Sequence, residues 1–201
     1  MTNARFEFEH MNDNLERAVR IIKKGGIVIF PTDTAFGIGC RIDDMRAVRK
    51  LFEIRKRPLD KAVPVLASSI EMVESYVEKI KPDVRDLMKK YWPGGLTLVM
   101  KCKKNRVSSL VRGGGDTIGV RIPAHDSALR VIRALGVPVV GSSANFAGGQ
   151  TPFKVSELDS ELVGLVDFVL PGRCSMGRVS TVLDVTKTPW KILRKGALRI
   201  T

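Results

Sequence analysis

Two stretches of this sequence end an apolar run in a cluster of small oxygen-bearing side chains. In residues 25–40, Ile27-Val28-Ile29-Phe30 leads through Pro31 to Thr32-Asp33-Thr34. In residues 137–145, Val137-Pro138-Val139-Val140 leads to Gly141-Ser142-Ser143-Ala144-Asn145. Further hydroxyls stand at Thr117 and Ser180, and cations at Arg55, Arg57, Lys61, Arg121 and Arg194. No nucleophile–base pair is obvious. His10 and His125 are the only histidines, which leaves no His-Glu-x-x-His zinc site and little material for a Ser-His-Asp triad. Hydroxyls, an amide and guanidinium groups suit a site that binds an anionic ligand and stabilises charge on transferring phosphates.

The elements that must position these groups are legible in outline. A β-branched run bounded by Gly25-Gly26 and Pro31 predicts a buried strand, with its oxygen cluster at the carboxyl end, where open α/β sheets place ligands. Gly37 and Gly39 would let the following backbone turn tightly or lie close to a bound group. The plainer reading is a polar turn in which Asp33 or Thr34 caps a neighbouring segment. Alternation predicts an edge strand over residues 5–9, and an apolar face of Leu15, Ala18, Val19 and Ile22 predicts a helix over 14–24. Helices are expected over 45–54 behind Asp43 or Asp44, over 69–77 behind Ser68 or Ser69, over 82–91 with Pro82 in the first turn, and over 127–135 and 155–162. Strands are expected over 62–66, 96–100, 117–123, 137–140, 168–170, 180–184 and 190–194. On the strand over 117–123, Thr117, Gly119 and Arg121 share one face. An arginine there needs an anionic partner, either a structural carboxylate or that of a ligand. Residues 101–115 form a basic, Gly-rich loop that either brings backbone to a phosphate or is a flexible excursion.

The order of these elements, strands alternating with helices but with several strands joined directly, predicts an α/β fold. Its core is a twisted, open, mixed parallel and antiparallel sheet with flanking helices, in a single domain over residues 1–201. Lys plus Arg number 34 against 21 acids, a net charge of +13, which suggests polyanionic company: nucleotide phosphates, tRNA or both. The three cysteines fit neither zinc spacing nor a disulfide framework. No apolar run reaches the length of a membrane span and the N-terminus does not read as a signal peptide, so a cytoplasmic protein without a membrane partner is expected. A P-loop is absent from the sequence, so a nucleotide would be held in another way.

Four blocks, in order, resemble the threonylcarbamoyl-AMP synthase family, the YrdC-like proteins. They are Pro31-Thr32-Asp33-Thr34, the basic block ending Arg57-Pro58, Ser143-Ala144-Asn145 followed by Gly148, and Ser180-Thr181-Val182-Leu183-Asp184 with Leu193-Arg194 beyond. The family's first block reads PTDT-V-Y-G-L, whereas Ala35 and Phe36 stand here. Its basic block is usually Lys-x-Arg, whereas Arg55-Lys56-Arg57 stands here, so Arg55 or Lys56 takes the first position. The resemblance covers most of the chain and is to the short form, without the larger relatives' C-terminal domain. It implies synthesis of L-threonylcarbamoyl-AMP from L-threonine, bicarbonate and ATP, with Mg²⁺ as companion and diphosphate released. The product would serve a tRNA modification beside the anticodon, through tRNA or a threonylcarbamoyl-transfer complex. Carried over by position, Thr34, Arg121, Ser143 and Ser180 would hold threonine. Arg55, Arg57, Lys61, Thr117, Asn145, Thr151 and Arg194 would hold ATP. Two other readings compete: a non-catalytic duplex-RNA or tRNA-binding module, and a carbamoyl-adenylate domain like that of hydrogenase-maturation proteins.

Overall fold

The computed structural model describes residues 2–200, with side chains from residue 11 on. Helices α1 (Thr2–Lys23), α2 (Met45–Ile54), α3 (Ile70–Glu74), α4 (Pro82–Tyr91), α5 (Asp126–Leu135) and α6 (Ser160–Gly164) alternate irregularly with nine strands. The strands are β1 (Val28–Phe30), β2 (Gly37–Arg41), β3 (Val65–Leu66), β4 (Leu96–Lys101), β5 (Thr117–Arg121), β6 (Val139–Ser143), β7 (Phe168–Val169), β8 (Thr181–Asp184) and β9 (Lys191–Arg194). They form one sheet in the order β7-β1-β2-β6-β3-β5-β4-β8-β9. Three neighbouring pairs, β1–β7, β3–β5 and β4–β8, are parallel and the rest antiparallel. The expected mixed open sheet with flanking helices is therefore present.

Caps set the helix starts. The Asp44 carboxylate accepts from the backbone N–H of Arg46 and Ala47, both at 3.0 Å, and Ser69 Oγ accepts from Met72 N–H at 3.2 Å, each satisfying donors that a first turn leaves free. Residues 5–9 belong to α1 rather than to an edge strand. Neither Gly nor Pro separates them from the amphipathic run that follows, so the alternation had no boundary to isolate it.

Successive strand residues bury on opposite faces. Val28, Phe30, Leu66 and Val139 pack with Leu15, Ala18 and Ile22 of α1 and with Ala128, Val131 and Ile132 of α5. Ile27, Ile29, Ile38, Val65, Leu96, Leu98, Val120 and Val140 build the larger core on the other face, with Val48, Leu51 and Phe52 of α2 and Met88 of α4. On β5, β4 and β8 the face opposite that larger core is only partly covered, and Thr117, Gly119, Val99, Val182 and Asp184 are half-exposed there.

Gly37 and Gly39 do not form a turn. They lie inside β2, paired with Phe30 and Val28 of β1 and with Ser143 and Gly141 of β6. Their missing side chains make room for neighbours. A Cβ on Gly39 would lie 2.3 Å from the Val140 carbonyl oxygen and 2.7 Å from a Val139 methyl. Because the nearest obstacle is backbone of a central strand, Gly39→Ala should cost about 3 kcal/mol, the upper range for overpacking. Chemical denaturation reads this directly, and an unchanged midpoint would contradict the close packing of β2 on β6.

Candidate functional site

The second oxygen cluster is not a loop. Strand β6 continues through Ser142 and Ser143, and the chain leaves the sheet only at Ala144. The Ala144 N–H donates to the Phe36 carbonyl at 2.9 Å, and the Ala147 N–H to the Arg55 carbonyl at 2.8 Å. These bonds tie the segment after β6 to the segment before β2 and to the end of α2. A cavity of about 330 Å³ lies between them, within the size range of small-molecule sites. Thr34, Phe36 and Gly37 line it from the first stretch, Arg55 and Arg57 from the end of α2, and Arg121 from β5. Ser143 and Asn145 line it at the end of β6, and Ser180 and Arg194 at the margins of β8 and β9.

Eight of the eleven residues singled out from the sequence thus share one cavity. Lys61, Thr117 and Thr151 are outside its lining. Lys61 stays close through its backbone, whose carbonyl accepts from Arg57 Nε at 3.2 Å. Thr151 precedes Pro152, whose carbonyl accepts from Phe36 N–H at 3.0 Å. Thr117 is on the same strand as Arg121 but four residues away, roughly 13 Å at the rise of a strand. The Gly-rich loop does not offer its backbone: the N–H groups of Gly113, Gly114 and Gly115 donate to Leu110, Ser109 and Arg112 carbonyls.

The trio Thr32-Asp33-Thr34 divides its work. Thr32 Oγ1 donates to the Ala35 carbonyl at 2.7 Å and accepts from the N–H of Thr34 and Ala35, both at 3.2 Å, so it shapes its own turn. Asp33 turns inward and pairs with the Arg121 guanidinium. The anionic partner that a mid-strand arginine requires is therefore a structural carboxylate. Both residues are buried, Asp33 at 1% exposure and Arg121 at 5%. Arg121 also donates Nε to the Gly94 carbonyl at 2.9 Å and Nη1 to Thr34 Oγ1. Three of its five N–H groups are thus engaged, which leaves two for a ligand.

The other three guanidiniums have no carboxylate partner among the described residues. Arg55, 3% exposed, donates to the Asn145 carbonyl at 3.0 Å and to Ser142 Oγ at 2.7 Å. Burial, then the nearby charge of Arg57, pushes its pKa down to about 10. Burial also lowers the pKa of Arg57 and of Arg194. Arg57 donates to the Lys61 and Ala62 carbonyls, and Arg194 donates to the Ser180 carbonyl at 3.0 Å and to Ser180 Oγ at 2.9 Å. Lys56, the other candidate for the first basic position, faces away: it pairs with Glu161 at 3.1 Å and lies over the Phe146 ring.

Four cations against the single carboxylate of Asp33 leave a surplus of three positive charges around one cavity. Two of the four, Arg55 and Arg121, are buried, and under-compensated cations held partly out of water stabilise an incoming anion strongly. Asn145 adds an acceptor. Its amide nitrogen donates to the Phe146 and Gly149 carbonyls at 2.7 and 2.9 Å, while the buried Oδ1 has no partner. No group of three or more His, Cys, Asp or Glu side chains among the described residues could hold a metal ion. No described helix is long and apolar enough to cross a membrane. Three lining residues with polar side chains, Thr32, Thr97 and Ser142, were not among the eleven, although Thr32 and Ser142 stand in the two oxygen clusters. Thr97 gave no signal because a threonine inside an apolar strand is ordinary β-branched filling.

The family model for Sua5, YciO and YrdC, described as "Telomere recombination", matches residues 20–196. The chain is similar to a threonylcarbamoyl-AMP synthase of Pyrococcus abyssi, with 35% identity over 182 residues, covering 90% of this chain and 53% of that protein. It thus spans about half the length of that relative. It is also similar to the threonylcarbamoyl-AMP synthase of Idiomarina loihiensis, with 36% identity over 162 residues, 80% of this chain and 86% of that protein. Among solved structures it resembles P. abyssi Sua5 complexed with L-threonine, with a TM-score of 0.86 and 34% identity, covering 90% of this chain and 56% of that one. The fold, the order of the four blocks and these matches agree, and the chain belongs to the Sua5/YciO/YrdC family.

Proposed function

We propose that this protein makes L-threonylcarbamoyl-AMP from L-threonine, bicarbonate (or CO2) and ATP, releasing diphosphate. The product would be the activated donor for threonylcarbamoyl-adenosine next to the tRNA anticodon, passed to tRNA or to a transfer complex in the cytoplasm. The observation that carries the reading is the cavity itself: three guanidiniums without carboxylate partners meet a cluster of hydroxyls and one orphaned amide oxygen. The L-threonine bound by P. abyssi Sua5 supports an amino acid as one of the two ligands. Thr34, Arg121, Ser143 and Ser180 form the amino-acid side in this reading. Arg55, Arg57, Asn145 and Arg194 form the nucleotide side, with Lys61, Thr117 and Thr151 reached by the outer parts of the nucleotide.

The chemistry needs little more than position and charge. The neutral amine of threonine adds to CO2 and loses a proton, giving a carbamate. A carbamate oxygen then attacks the α-phosphorus of ATP, and the bond to the β-phosphate oxygen breaks as diphosphate leaves. Arg55, Arg57 and Arg194 would offset the charge carried by the phosphates. The two free N–H groups of Arg121 would hold the amino acid's carboxylate. No lining residue is a His, Asp, Glu, Lys or Cys, so in this scheme the proton released by the amine passes to bicarbonate or solvent water. The residues do not fit a resident Mg²⁺; the ion would arrive on the nucleotide as part of the substrate, and no step is routed through it.

Diphosphate release with ATP and bicarbonate, measured with threonine, serine or no amino acid, tests the proposal. Release that depends on threonine is expected. Release without an amino acid, or only with carbamoyl phosphate, would point instead to a carbamoyl-adenylate enzyme. The +13 net charge favours a second reading, a duplex-RNA-binding module without chemistry. That module would show steeply salt-dependent RNA binding and no diphosphate. Within the first reading, Arg57→Ala should weaken ATP binding by about 1.5 kcal/mol, the lower end for a charged hydrogen bond, because Arg57 is half-exposed. Calorimetric titration with ATP measures it, and unchanged affinity would remove Arg57 from the site.

A further inference from the structure

Strand β4 carries an alternation that one residue interrupts chemically. Leu96 and Leu98 are fully buried in the larger core, and Thr97 points to the opposite face, where it lines the cavity at 5% exposure. Its side chain is held from two sides. A Cβ on Gly119 of β5 would come within 3.3 Å of the Thr97 methyl, so glycine there leaves that methyl its place. On the β8 side, Thr97 Oγ1 lies 2.8 Å from Ser180 Oγ. A β-branched side chain has few χ1 choices, and this one puts its hydrocarbon toward β5 and its oxygen toward Ser180.

Counting hydrogens shows what the pair can offer. Thr97 and Ser180 have two hydroxyl hydrogens between them, and one is consumed by the bond that joins them. Arg194 Nη2, which can only donate, fills a lone pair of Ser180 Oγ at 2.9 Å. One hydroxyl hydrogen is left over, and no hydrogen bond among the described residues uses it on either oxygen. Whichever oxygen keeps it, the couple faces the cavity as a donor.

We propose that Thr97 is a positioning residue for the amino-acid substrate. With Ser180 it forms a hydroxyl couple that donates one hydrogen bond to a carboxylate oxygen of an α-amino acid. Arg194, which can only donate, occupies one lone pair of Ser180 and takes up neither hydroxyl hydrogen, so the couple keeps one to give. This inference rests on the proposed function for the identity of the ligand, and on the observed geometry for the couple itself.

The test compares Thr97→Val, Thr97→Ser, Ser180→Ala and the Thr97→Val/Ser180→Ala double variant with the wild type. Thermal midpoints, calorimetric titration with L-threonine, and KM values for threonine and ATP are measured for each. Thr97→Val should weaken threonine binding and raise its KM roughly tenfold, the scale of one hydrogen bond to a charged group, with the KM for ATP unchanged. Thr97→Ser should restore wild-type values. The double variant should bind threonine no worse than Ser180→Ala alone, because the two hydroxyls act as a unit. A Thr97→Val protein with wild-type threonine affinity, whatever its thermal midpoint, or additive losses in the double variant, would overturn the proposal. If the wild type binds threonine but releases no diphosphate, the enzymatic reading fails and the titrations still judge Thr97. If the wild type does not bind threonine, both fall.

Discussion

Asp33→Ala should destabilise the protein by about 3–5 kcal/mol, the scale for removing one partner of a buried ion pair. The reason is asymmetry. With Asp33 present, Arg121 has a counter-charge, and burial of the two together is tolerable. With Asp33 gone, a guanidinium at 5% exposure keeps its desolvation and loses its anion. Burial already lowers the Arg121 pKa, with Arg194 adding to it, while Asp33 is the main group opposing the shift. For a domain of this size the thermal midpoint should fall by roughly 6–20 °C, at about 2–4 °C per kcal/mol. Adding Arg121→Met should recover part of the loss, since an apolar replacement of both charges is often near neutral. A double-variant cycle followed by thermal denaturation measures the coupling. Equal stability of Asp33→Ala and wild type would mean that the pair does not hold β5 to the segment after β1.

The second large effect concerns ligand affinity rather than fold. Arg55→Met should leave the stability of the free protein nearly unchanged and weaken ATP binding by about 2–5 kcal/mol, the scale for truncating one side of a buried, hydrogen-bonded charge pair. In the free protein the Arg55 charge is a burden, because its partners are a carbonyl and a hydroxyl. Methionine removes that burden but orphans the Asn145 carbonyl, and the two changes offset each other. With ATP bound, the same charge would gain the anion it lacks. The sign of the pH dependence follows. A base whose folded pKa is depressed imposes its penalty throughout the range below that value, and the penalty lifts only as the proton leaves. For Arg55 that occurs only as pH rises through about 10. The contribution of Arg55 to ATP affinity should therefore be flat through the neutral range and fall in strong alkali. A wild-type thermal shift by ATP in Arg55→Met would remove Arg55 from the nucleotide side.

Which parts of this arrangement the sequence made legible depended on the range of the signal. Helix α2 was read within its true bounds because Asp44, an apolar face and Pro58 are local marks. The chain positions of the site were legible too, since each block carries its own unusual residue types. Strand β2 was not, because Gly37 and Gly39 are turn-formers in isolation, and only the crowding of Val139, Val140 and Phe30 explains them. The extension of β6 through Ser143 was hidden for a similar reason, as Gly-Ser-Ser reads as loop until its pairing with β2 is known. Asp33 and Arg121 are 88 residues apart, and no local pattern could have matched them. The need for an anion near Arg121 was physical and legible; its identity was not.

Strand β9 is one of the two edge strands of the sheet, its four residues are all exposed, and it is joined to β8 across a bulge. Yet it carries Arg194, one of the cavity's uncompensated cations. Margin strands are the first to fray in native-state fluctuations, so a nucleotide gripped by Arg194 would also act as a clasp for that margin. Amide deuterium uptake along residues 191–194 should therefore slow when ATP is added, and the last strand of the fold becomes a gauge of whether the cavity is full.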